Sequence, residues 1–357
     1  MDRGRQRRIL ILLTAAALCL IMARVAWGGR RDDAGSLSLW YVGGDCPGAV
    51  MDALAARCLG ETGLLLETRV FADEASMGLA FEEEKPDLVF CSAARAARFE
   101  ERESLDAAED ALPLPETLRE TWAEIGSSFF PIGGRLPLLL VNTALVTETH
   151  ESLEALLEAA GDTPFLTSHD WAELLYTAMS AAGKQMMGDP AADVKSKVYR
   201  ALWNELAGAA FRGGLVTSDA PADYARQGLI PCAVVSSAEI AGLTDRNIYV
   251  RPLPLPTGAA AQYPAEPMGF ALPEGADTEA AASFLRWLYA GRMAGETAVA
   301  AGLIPITEAA DARTGLETAL IGLSRSGLVR WDAPDAVFYR NRESCEAYLE
   351  DALSMLE

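Results

Sequence analysis

Apolar and polar positions alternate along the chain in a pattern that predicts short buried strands separated by amphipathic helices. Leu37–Val42 is an apolar run that stops at Gly43-Gly44-Asp45. Pro47 suits the first turn of a helix whose inner face is Val50, Leu54 and Cys58, ended by Gly60 and Gly63. A second strand follows over Leu64–Phe71. Asp73 then caps a helix that buries Met77, Ala80 and Phe81 and carries Glu82-Glu83-Glu84 outside, until Pro86 stops it. Leu88–Cys91 is a third strand, running into Ser92-Ala-Ala. This β-α-β-α-β order predicts a parallel sheet covered on both faces. Such sheets take ligands at the carboxyl ends of their strands, here Gly43–Cys46 and Cys91–Ala94.

Residues 113–131 read as irregular. The stretch from Pro131 to Val146 is then a buried strand, introduced by Gly133-Gly134 and stopped at Asn142. Beyond it the pattern predicts helices over Ser152–Ala160, Asp170–Ala182, Lys195–Ala210 and Asp219–Gln227, with strands at Thr163–Thr167 and Ile230–Ser236. Val250–Pro256 is too proline-rich for a central strand. Met268–Leu272 is a strand, Thr278–Tyr289 a helix with Phe284, Leu285 and Leu288 inward, and helices run on towards Glu357.

A length of 357 residues predicts about two domains, and an apolar half with seven Trp supplies ample core. Charge changes the picture at the N-terminus. Residues 1–31 hold seven Arg and one Asp, so the rest of the chain carries −27 against the formal total of −21. That acidic body argues against nucleic acid as a partner. Arg3, Arg5, Arg7 and Arg8 precede an apolar run from Ile9 to Ala23, which predicts a secretory leader over residues 1–31. A cleaved signal peptide and an uncleaved anchor with the Arg cluster inside both fit, and either exports the body. Export permits disulfides. The five cysteines beyond the leader are scattered and form no C-x-x-C, which argues against zinc and thioredoxin chemistry.

The order of elements resembles the extracellular solute-binding proteins of ABC importers, in particular the sugar-binding family with the type 2 periplasmic-binding-protein fold. The resemblance covers roughly residues 36–310. Leu39-Trp-Tyr is similar to that family's opening strand, and Pro86-Asp-Leu-Val-Phe-Cys-Ser-Ala to its strand before a binding loop. Leu138-Leu-Leu-Val-Asn-Thr-Ala-Leu resembles its crossing strand, and Gln227–Ser237 a strand of its second lobe. Gly269-Phe-Ala-Leu-Pro-Glu-Gly, Ala282-Ser-Phe-Leu-Arg-Trp-Leu and Ala301-Gly-Leu-Ile-Pro resemble its closing segments. Five matches in the right order carry the likeness. Where the family often has aromatics, this chain has Leu140-Val141 and Ala238, which removes two stacking faces.

The resemblance implies an α/β fold of two lobes, each a mostly parallel sheet flanked by helices, joined by crossing strands near Leu136–Val141 and Pro264–Met268. Lobe 1 would take 36–138 with 267–309, and lobe 2 would take 142–263 with 310–357. It implies a monomeric receptor at the outer face of the cytoplasmic membrane. Such a receptor captures a small polar solute, delivers it to ABC permease subunits, and needs no cofactor and no metal. Candidate ligand groups are Tyr41, Asp45 and Ser92 from the first lobe. His169, Asp170, Trp171, Ser236 and Ser237 come from the second, with Tyr263 near the hinge. Strand-end polarity explains Tyr41, Asp45, Ser92, Ser236 and Ser237 equally well, and a cap with a core ring explains Asp170 and Trp171. Many carboxylates and few bases around the cleft favour a sugar, polyol or cation over an anion. In this fold the first and third strands are neighbours, so Cys46 and Cys91 are either a disulfide or two adjacent thiols.

Other classes remain open. A membrane-anchored sensory protein of the same fold is one, and a glycoside-acting enzyme with paired carboxylates is another. Against an enzyme stand only two histidines, His150 and His169, and no G-x-S-x-G, H-E-x-x-H, P-loop or EF-hand loop.

Overall fold

The computed structural model describes residues 35–96, 98–99, 103, 128–146, 150–161, 163–168, 171, 197–240, 245, 247–257, 263–307, 312 and 314–331. Two sheets organise them. The first opens with β1 (Ser36–Val42), which pairs in parallel with β2 (Leu65–Phe71) on one side and β3 (Leu88–Ser92) on the other. β3 is buried at every residue, as its unbroken apolar run requires, whereas β2 lies at the sheet edge and alternates towards solvent. Helix α1 (Gly48–Thr62) follows Pro47, buries Met51, Leu54 and Cys58, and ends at Gly63 in the left-handed region. Helix α2 (Glu74–Phe81) starts from a reciprocal cap between Asp73 and Ser76.

The apolar stretch after residue 128 forms two strands where the sequence pattern shows one. β4 (Phe129–Arg135) belongs to the first sheet and β5 (Pro137–Asn142) to the second, with Leu136 alone between them. Gly133 and Gly134 explain why β4 carries no side chains there. A Cβ on Gly133 would lie 2.8 Å from Leu303 Cβ and 2.9 Å from the Ile304 carbonyl. One on Gly134 would lie 3.2 Å from Ala265 Cβ and the Glu266 carbonyl. The pair lets neighbouring backbones close on the last strand before the crossing.

The second sheet runs in the order β7, β6, β8, β5, β9. Its strands are β6 (Leu166–Ser168), β7 (Leu215–Thr217), β8 (Cys232–Ser236) and β9 (Ile248–Pro252) around β5. Pro252 is tolerated because β9 is an edge strand. Helices α4 (Leu153–Ala159), α5 (Lys197–Phe211) and α6 (Pro221–Arg226) accompany this sheet. The helix expected over Asp170–Ala182 lies, apart from Trp171, outside the described residues.

β10 (Tyr263–Ala271) returns to the first sheet between β3 and β4 and is antiparallel to both. Helices α7 (Thr278–Tyr289) and α8 (Met293–Ala300) lead to β11 (Ile304–Pro305), which pairs with β4. Helix α9 (Gly315–Ser326) buries Leu316, Leu320 and Leu323 in a cluster with Leu138, Leu140 and Val235 of the second sheet and Ala265 and Ile304 of the first. The following β12 (Val329–Trp331) pairs with β10 at Tyr263–Ala265, a pairing absent from the sequence reading.

The two-sheet α/β architecture is therefore as expected, but neither sheet is mostly parallel. β10 and β11 enter the first sheet antiparallel, and β5 meets both its neighbours antiparallel in the second. β5 and β10 are the strands that enter a sheet straight from a crossing, and each runs against both of the neighbours it joins.

Candidate functional site

The carboxyl ends of β1 and β3 meet beside the end of β4. Asp45, in the loop after β1, is 4% exposed. One carboxylate oxygen pairs with the Arg95 guanidinium and the other lies 3.4 Å from Arg135 Nη1. Arg95 stands on α3 (Ala93–Ala96), a single turn that continues β3, and its backbone N–H donates to Ser92 Oγ at 3.3 Å. Its second terminal nitrogen pairs with Glu74 at the start of α2. Arg135 ends β4 and donates from Nε to Glu266 at 2.7 Å, its register partner on β10. Three carboxylates and two guanidiniums thus converge on the strand ends next to the crossing. Burial lifts the Asp45 pKa, opposed by Arg95 and Arg135.

On the other side of Leu136 stand Ser236 and Ser237. Ser236 pairs with Pro137, and the Ser237 N–H donates to the Leu136 carbonyl at 3.1 Å. Ser236 Oγ accepts the Ala238 N–H at 3.4 Å, while Ser237 Oγ is buried with no hydrogen-bond partner. Gly302, in the turn between α8 and β11, rests directly on this strand end. A Cβ there would lie 2.5 Å from the Ser237 carbonyl and 3.0 Å from Ala238 Cα. Elements attached to the two sheets therefore touch beside the first crossing.

Of the residues expected from sequence, Asp45 and Ser92 are brought together through Arg95, and Ser236 and Ser237 lie across the crossing from them. Tyr41 packs beneath the start of α1, where a Cβ on Gly48 would stand 3.4 Å from its hydroxyl; burial, then Asp52, raises its pKa. Trp171 is buried in the core of the second sheet and donates its ring N–H to Thr217 Oγ1 at 3.1 Å. The expected ring face for a ligand is thus packed against protein. His169 and Asp170 lie outside the described residues, as does the Tyr263 side chain.

The expectation of few bases is corrected, because Arg95 and Arg135 lie at the centre of the cluster. Cys46 and Cys91 are free buried thiols, as are Cys58 and Cys232. Among the described residues no group of His, Cys, Asp and Glu is arranged to hold a metal ion. Cavities of about 350 and 260 Å³ flank Arg251 and Pro252 of β9, and no expected site residue lines either.

No family model and no curated protein matches the sequence. Solved structures do match the backbone. A spermidine/putrescine ABC transporter substrate-binding protein from Streptococcus pneumoniae has a TM-score of 0.65 at 13% identity, over 89% of this chain and 99% of that one. An ABC substrate-binding protein from Listeria monocytogenes, solved with cycloalternan, has a TM-score of 0.66 at 11% identity, over 89% of this chain and 100% of that one. The chain has the fold of ABC substrate-binding proteins. A further Listeria monocytogenes chain, described as a spermidine/putrescine ABC transporter, matches at a TM-score of 0.62 and 12% identity, over 88% of this chain and 98% of that one. The fold of these substrate-binding proteins is therefore shared across nearly the whole length, with very little of their sequence.

Proposed function

We propose that this chain is an extracytoplasmic solute-binding receptor that captures a neutral polar solute of the saccharide class between its lobes and hands it to an ABC importer. The moving bodies are 36–138 with 267–309 and 142–263 with 310–357, and β12 of the second body pairs with the returning crossing at Tyr263–Ala265. The shared fold supports capture for import, and its neighbours include spermidine/putrescine transporter proteins and one solved with cycloalternan. The engagement of Asp45 favours the saccharide class. A polyamine site needs carboxylates open to ammonium groups, and both oxygens of this one already face guanidiniums. The remaining groups suit hydroxyl-rich ligands: the buried Ser237 hydroxyl has no partner, and Ser236 stands beside it. Tyr41, Ser92, His169, Asp170, Trp171 and Tyr263 stay in the proposed site as the second rank, behind Asp45, Ser236 and Ser237.

In this reading the basic, apolar segment over residues 1–31 delivers the body to the outer face of the membrane. Among the described residues no helix is long and apolar enough to cross a bilayer. Intact mass of the exported protein decides the fate of the leader: a start near Gly28–Arg31 means cleavage, and the full mass means an anchor. Capture itself is tested by thermal shift against neutral saccharides, putrescine, spermidine, amino acids and inorganic anions, since a ligand of the native state raises Tm. A rise with a saccharide alone is expected, and a rise with polyamines alone would overturn the saccharide class.

A further inference from the structure

We infer that Arg95 is a built-in cation that occupies the acidic corner of the first half-site and thereby excludes cationic solutes. The inference rests on the solute-binding reading above and names the residue that sets its charge preference. Asp45 and Glu74 hold Arg95 by its two terminal nitrogens, in the way two carboxylates would hold a diamine end or a guanidinium ligand. Arg95 is 9% exposed, so the contact is sheltered from water and weakly screened. Glu74 is half exposed, which leaves the corner reachable from solvent on that side.

A second observation separates this group from an ordinary structural ion pair. Arg95 Nε is buried and has no acceptor, although each of its terminal nitrogens is paired with a carboxylate. A guanidinium selected only to hold the fold together is expected to have that donor satisfied, because a buried unpaired N–H is costly. Arg95 fits the carboxylates and not the rest of its surroundings, as a tethered ligand would. The tether is short: α3 has 4 residues and follows β3 directly. A group held so close acts at an effective concentration on the order of millimolar or more, so a free cation at lower concentration does not displace it. Asp45 is further occupied from the other side by Arg135, itself paired with Glu266. Removing Arg95 would leave a guanidinium-sized hole between Asp45 and Glu74, each keeping one oxygen on another guanidinium, Arg135 for Asp45 at 3.4 Å and Arg98 for Glu74 at 3.8 Å.

The test is chemical rescue. In Arg95→Ala, low-millimolar methylguanidinium or putrescine should raise Tm by about 2–4 °C at matched ionic strength, as about tenfold saturation implies. Wild type should not respond, and the response should vanish in Asp45→Asn/Arg95→Ala. Should R95A not fold alone, refolding with and without methylguanidinium replaces the thermal scan, and recovery only with the cation supports the inference. It is overturned by a wild-type shift equal to that of R95A, by a folded R95A that ignores both cations, or by no recovery on refolding. Saccharide titration of wild type is read separately. A protein that binds saccharide but shows no rescue keeps its function and loses this role for Arg95, and rescue without saccharide binding does the reverse.

Discussion

Gly302→Ala tests the contact beside the crossing. Gly302 has φ +76, and a non-glycine residue in that region costs about 1–2 kcal/mol. The new methyl would also sit 2.5 Å from the Ser237 carbonyl and 3.0 Å from Ala238 Cα, both backbone atoms of the second sheet's strand end. Overpacking of that kind costs about 1–3 kcal/mol when the backbone holds still. The sum is roughly 2–5 kcal/mol if the two sheets keep their relation. If they yield, the clash is relieved by separation, the cost falls to the backbone part, and the protein expands. Gly63→Ala is the control, because Gly63 has φ +83 and nothing within 4 Å of its would-be Cβ. Urea unfolding gives the stabilities and small-angle scattering gives the radius. The contact is refuted if G302A costs no more than G63A and leaves the radius unchanged.

Tyr289 donates its buried hydroxyl to the Pro131 carbonyl at 2.7 Å, which ties α7 to β4. Tyr289→Phe removes that bond and should cost about 0.5–1.5 kcal/mol in urea unfolding; a neutral result would mean the bond adds nothing. Burial raises the Cys91 pKa and pushes Cys46 and Cys232 up to about 12. The native protein should therefore resist iodoacetamide at these three sites at neutral pH and react fully once unfolded. Rapid native labelling, or a Cys46–Cys91 bridge in a non-reducing peptide map, would contradict the buried thiols.

Local chemistry made the first sheet readable. Pro47 before α1, Asp73 before α2 and the unbroken apolar run of β3 each follow from a short-range rule, and the elements stand within a residue or two of where those rules put them. The division of the next apolar stretch was not readable, because no local rule separates β4 from β5 at Leu136 until β10 and β11 are placed beside β4 and β8 and β9 beside β5. β12 is 3 residues long and has no period to detect. The same division runs through the site. Asp45 and Ser92 fall at strand ends and could be named from the pattern. Arg95 and Arg135, which meet Asp45, and Glu266, which meets Arg135, could not, since the pairings join residues 50, 90 and 131 apart. A local hint existed: Arg95 comes three residues after β3 and Arg135 is the last residue of β4, and a charge at the end of an apolar run must meet a counter-charge or water. Trp171 shows a related ambiguity. A large ring after a short strand serves the core as readily as a site, and only the position of α5 and β7 distinguishes them.

The central claim is that two half-sites close on one solute beside Leu136. Small-angle scattering of the full chain, titrated with the saccharide that gives the largest thermal shift, tests it most directly. The account predicts a smaller radius of gyration at saturation, and weaker binding with less compaction in Ser237→Ala and Asp45→Asn. Saturable binding with an unchanged radius, and with affinity intact in both variants, would place the site elsewhere on the molecule.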